Sequence, residues 1–162
     1  MSTATQLDAV SELASFARNC AEFYAKDLNA LPEGAYSQPY REGARTIQEV
    51  TAEVCDFNQY MVSALKGQPK APPTEEERTA FAASLDTPEK GAAAVRETAN
   101  AMADAMLAGR DGMTDMIPAP WGAEISKFGM ALIATNHIMY HDAQINYLQS
   151  LHGDQEMHWF DA

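Results

Sequence analysis

The chain has 162 residues, 46% of them hydrophobic, and carries 11 basic against 23 acidic side chains for a formal net charge of −12. That length and apolar content suit one domain over residues 1–162 with a single substantial core, while the acidic field repels phosphate backbones and anionic lipid, so neither a nucleic-acid nor a membrane partner is expected. Met1 to Asp8 lacks the basic and apolar pattern of a signal peptide, no apolar run is long enough to span a bilayer, and Cys20 and Cys55 read as small buried residues of a reducing compartment, so the expected location is the cytoplasm.

A first helix is expected from about Thr5 to Leu31, because Leu7, Val10, Ala14, Ala17, Ala21, Tyr24 and Leu28 recur at helical spacing. Pro32 and Gly34 stop it. The stretch 32–45 is polar and rich in turn residues, and its Arg41 and Arg45 belong in solvent unless they meet an acidic substrate group. Thr46 and Glu49 then form a capping box that opens a second helix, closed by Gly67 and Pro69. Its apolar face reads Val50, Val54, Phe57, Met61 and Leu65, and Glu53 falls among them. A carboxylate on a core-facing stripe is costly unless it is paired or coordinates a cation; at the stripe's edge, an arginine or water would serve.

Thr74 and Glu77 make a second capping box, for a short extra helix reaching about Leu85. Thr87 and Pro88 supply a cap and a first-turn proline for a third long helix with the stripe Ala92, Val95, Ala99, Met102 and Met106, ended by Gly109. The stretch 110–122, which holds Trp121, is long for a bundle connection and is either the cover of a pocket or a plain crossover.

The last helix is expected from about Ala123 to His152, and it carries the most informative pattern in the chain. His137 and His141 lie one turn apart on a stripe running Met130, Ile133, His137, His141, Gln144, Leu148 and Leu151, so both imidazoles project from an apolar face. A buried imidazole needs a partner, which is either a metal ion or an ordinary hydrogen bond. With Glu53 the pair makes a three-ligand set on two helices, with room for water or substrate, as in catalytic zinc and non-haem iron sites. A metal-free alternative sets Glu53 against a protonated His137 or His141. His152 and His158 read as helix-end and tail residues, and Cys55 faces away from Glu53. The same helix carries Leu132, Ala134, Ile138, Met139 and Ile145 on other faces, which points to a central helix or a homodimer. The tail Met157-His158-Trp159-Phe160 is too aromatic to stay in solvent and should dock on the bundle or on a partner subunit.

The run His137-Ile-Met-Tyr-His141-Asp-Ala-Gln-Ile-Asn-Tyr-Leu resembles the last helix of the DinB/YfiT-like metalloprotein superfamily, and Thr46-Ile-Gln-Glu-Val with Asp56-Phe-Asn resembles its second helix. The resemblance implies an all-α fold, an up-down four-helix bundle of the DinB-like type with one short extra helix. It also implies a divalent metal, with zinc, nickel and ferrous iron all suited to imidazole and carboxylate. The superfamily's usual third ligand is a histidine on the second helix, and the position matching it here is Glu53. Members include thiol S-transferases and a mycothiol-dependent maleylpyruvate isomerase. The resemblance therefore implies a metal-dependent thiol transferase or isomerase acting on a small-molecule substrate with a low-molecular-weight thiol. A non-catalytic metal-binding bundle, or a dimeric interaction or sensor module, fits the same residues.

Overall fold

The computed structural model describes residues 7–160. Four long helices, α1 (Ala9–Asn29), α2 (Ile47–Leu65), α4 (Pro88–Ala108) and α5 (Lys127–Leu151), enclose the core, with the short α3 (Glu75–Ser84) packed on α2. The expected four-helix bundle with one extra helix is therefore what the chain forms. Around the bundle the packed neighbours follow the order α1, α4, α2, α5, so the connections 30–46 and 109–126 each join helices on a diagonal. A diagonal crossing must span the end of the bundle, which is why both are long.

The starts of the helices follow from local chemistry. Thr46 and Thr74 each accept from the backbone of the residue three on, and Glu49 and Glu77 return the bond. Thr87 caps α4 with Pro88 in its first turn. Two expectations are corrected. First, α1 is capped by Asp8, which accepts from the Val10 and Ser11 amides, and Leu7 stands outside the helix at 74% exposed; the expected start at Thr5 lies outside the described residues. Second, α5 begins at Lys127 rather than Ala123, because the Ser126 hydroxyl takes the Gly129 amide. The residues before it form β2 (Glu124–Ser126), which pairs antiparallel with β1 (Met116–Pro118) in the register Ile117 to Ile125. Ile117 and Ile125 pack against the core, so hydrophobic burial holds this hairpin in place.

The stripes expected for α2 and α4 are the ones buried: Val50, Val54, Met61 and Leu65 on one, and Ala92, Val95, Ala99, Met102 and Met106 on the other. On α5 the core face is rotated from the expected one. Met130, Ala134, Ile138, His141, Ile145 and Leu148 are buried, whereas Ile133, Gln144 and Leu151 are exposed. Because α5 is apolar on several sides, periodicity alone cannot choose which side faces inward.

The aromatic tail docks on the bundle. Trp159 stacks on Phe23 with ring centroids 4.7 Å apart and its indole N–H donates to Asp27 Oδ2 at 2.8 Å. Asn146 donates to the same oxygen at 2.6 Å. Asp27 and Asp142 are both fully buried. Burial first, and then the neighbouring Asp27, push the Asp142 carboxyl up to about 8.

Candidate metal centre

Glu53 sits at the edge of the α2 core face rather than within it, with 43% of its side chain exposed. Facing it across the groove between α2 and α5 are His141, 1% exposed, and His137, 21% exposed. The three form the one cluster among the described residues whose His, Cys, Asp and Glu atoms converge closely enough to hold a metal ion. Their facing atoms make a triangle. His137 Nε2 and His141 Nε2 are 3.0 Å apart, and Glu53 Oε1 lies 3.4 Å from the first and 3.7 Å from the second. In a tetrahedral zinc site, bonds near 2.0–2.1 Å put neighbouring donor atoms about 3.3 Å apart. The triangle therefore has the size of one face of such a site, and the donor set fits a divalent ion.

Outer partners orient two of the three candidate ligands. The Gln144 side-chain carbonyl lies 2.8 Å from His141 Nδ1. The carbonyl can only accept, so Nδ1 carries the hydrogen and the Nε2 lone pair is directed into the triangle. Glu53 Oε2 accepts from the Arg45 guanidinium, which leaves Oε1 turned toward the histidines. His137 is held differently. The Phe57 ring meets it edge-on at 5.0 Å, and its Nδ1 is buried without a hydrogen-bond partner. His137 is thus the least supported of the three.

The electrostatics favour a cation. Burial lowers the pKa of both histidines; for His137 the neighbouring His141 lowers it further and Glu53 only partly offsets this, and for His141 the Gln144 hydrogen bond and then Glu53 only partly offset the burial. Both imidazoles are accordingly neutral near pH 7, the form that binds metal. This disfavours the metal-free arrangement that needs one of them protonated. For Glu53, burial pushes the pKa up, but the Arg45 hydrogen bond and charge, followed by the two histidines, bring it below the ordinary carboxylate value.

The triangle borders a cavity of about 950 Å³, into which Glu53 and His137 face. Its walls come from α2, α3 with the prolines before it, and the tip of the hairpin, where Pro120 and Trp121 stand. The 110–122 connection therefore covers a pocket. Arg41 and Arg45 are both exposed, as expected of a polar loop, but Arg45, with 54% of its side chain in solvent, also lines this cavity and pairs with Glu53, whereas Arg41 does not line it. No spacing rule could have placed Arg45 against Glu53, because the loop before α2 has no periodicity to read. His152 serves as the C-terminal cap residue of α5, His158 pairs with Asp154 at 2.9 Å, and Cys20 and Cys55 are buried and free.

A helical bundle that brings a carboxylate on its second long helix to a histidine pair on its last defines a class of protein by itself. The DinB superfamily model matches residues 21–145, a span that includes Glu53, His137 and His141, and the chain belongs to that superfamily. Among curated proteins, none matches the chain significantly.

Proposed function

We propose that the protein binds one divalent metal ion, zinc, nickel or ferrous iron, through Glu53, His137 and His141. The single observation that carries this reading is the donor triangle of 3.0, 3.4 and 3.7 Å beside a cavity. Three protein ligands leave a coordination position open, and the cavity gives a small molecule access to it, which favours catalysis over a closed structural site. A divalent ion there supplies Lewis acidity, lowering the pKa of a bound thiol or water.

The reaction we assign is transfer or isomerisation with a low-molecular-weight thiol on a small-molecule substrate. The chain's own residues have separable tasks in it. Gln144 fixes the His141 tautomer, Arg45 holds the outer oxygen of Glu53, and the Pro120–Trp121 tip limits solvent at the cavity mouth. The test is elemental analysis of protein purified without an affinity metal column, beside a His141→Ala variant. Near-stoichiometric metal in the first that is lost from the second is expected, and thiol-transfer screening follows. No metal in either after reconstitution overturns the reading.

We also propose a homodimer through α5. Its exposed residues, including Leu132, Ile133, Tyr140, Tyr147 and Leu151, carry no charge on a chain whose net charge is −12. Two such acidic chains repel least where neither presents charge. Sedimentation of the purified protein checks this, and a monomer mass refutes it. Among the described residues no helix is long and apolar enough to cross a membrane, and we place the protein in the cytoplasm on the strength of its two free, buried cysteines.

A further inference from the structure

Arg45 stands at the boundary between the metal-binding triangle and the cavity, with 54% of its side chain exposed and donors to spare. It spends Nη1 on Glu53, and among the described residues its Nε and Nη2 have no partner. A guanidinium offers five N–H donors in a planar fork that matches a carboxylate. With a divalent ion in place, the ion, Arg45, Glu53 and Glu49, which lines the same cavity, sum to a local charge of about +1. The far side of the cavity differs. There the cation, Arg78, is already taken by Glu75 at 3.6 Å and the Pro73 carbonyl at 3.0 Å. Anion recognition therefore belongs at the Arg45 end. Between the two ends the wall is apolar and flat-sided, with Phe57, Tyr60, Trp121 and Ile133 among its residues. Such faces suit a ring-bearing or similarly rigid apolar body.

We propose that the cavity takes a small carboxylic acid with an aromatic or comparably apolar body, its carboxylate held by Arg45 beside the open side of the metal. This rests on the metal reading above and names the substrate class of that site. Arg45 has two roles in it: it positions Glu53 through Nη1 and reads the substrate's charge through its unspent donors. A purely structural Arg45 would orient Glu53 and nothing else.

The test uses 2-naphthoate and its neutral counterpart 2-naphthamide as probes, titrated by calorimetry into zinc-loaded and EDTA-treated protein. Zinc content is measured separately by elemental analysis. Wild-type, zinc-loaded protein should bind the acid roughly tenfold or more tightly than the amide, since charge-assisted hydrogen bonds are worth about that factor. Arg45→Met should abolish the preference, Arg45→Lys should restore part of it, and Trp121→Ala should weaken both probes alike. In EDTA-treated protein the preference should shrink while still depending on Arg45. Equal binding of acid and amide, a preference that survives Arg45→Met, or no binding of either probe overturns the proposal. Zinc bound at one equivalent without Arg45-dependent selectivity refutes the substrate class alone. Absence of zinc refutes the metal reading alone, and the EDTA-treated titration then decides the role of Arg45.

Discussion

Trp159 offers a test of how the tail is bound, because its two contacts can be removed one at a time. Trp159→Phe keeps an aromatic ring to stack on Phe23 but deletes the N–H that reaches Asp27 Oδ2 at 2.8 Å. Asp27 is fully buried, so water cannot replace the lost donor and Asn146 alone remains on that oxygen. A hydrogen bond to a charged group contributes about 1.5–3 kcal/mol, so Trp159→Phe should cost about 2 kcal/mol. Trp159→Ala also removes the stacked ring, worth about 0.5–1.5 kcal/mol beyond its apolar area, and should cost about 3–4 kcal/mol. For a domain of this size each kcal/mol lowers Tm by about 2–4 °C. Urea titrations at pH 7 followed by circular dichroism measure both changes. If Trp159→Phe costs less than about 0.5 kcal/mol, Asp27 does not depend on the indole donor; if the two variants cost the same, the stack contributes nothing.

Gln144→Ala should leave the fold intact, because residue 144 is exposed, yet lower metal affinity by roughly 10–100-fold by freeing the His141 tautomer; competition against a chelator of known affinity measures it. Gly91→Ala should cost about 1–3 kcal/mol, since the added methyl would meet the Tyr36 hydroxyl oxygen at 2.5 Å, and thermal melts would show no loss if the helix can shift. Asp142→Asn tests the raised Asp142 carboxyl through pH. Burial and Asp27 raise the Asp142 carboxyl to about 8 in the folded state, so the folded protein binds the extra proton between the ordinary carboxylate value and about 8. Its stabilising contribution is complete below that window and is lost as pH rises through it. The variant, which has no such proton, should gain on wild type steadily from pH 4 to pH 8; a pH-independent difference between the two refutes the assignment.

Much of the architecture was legible before any coordinates. Thr46, Thr74, Thr87 and Pro88 announce helix starts because capping is a local exchange between a side chain and amides three residues away. The stripes of α2 and α4 were readable because each is apolar on one side only. The same logic exposed Glu53 as a charge among apolar positions and His137 and His141 as neighbours, which together name the candidate site.

Other features depend on distance across the fold. The rotation of α5 was decided by what packs against it, since several of its faces are apolar. The β1–β2 hairpin has strands of three residues each, too short for a period of two to register, and it forms because Ile117 and Ile125 find the core. Asp27, Asp142 and Trp159 come from three separate parts of the chain, and nothing local marks any of them as a buried acid pair with its indole clasp. Local sequence thus determined which residues were available as candidate metal ligands. The tertiary structure decided that Glu53 meets a histidine 84 positions away, and that Arg45 turns back onto Glu53, because contacts at that separation are set by how four helices bury their apolar faces together.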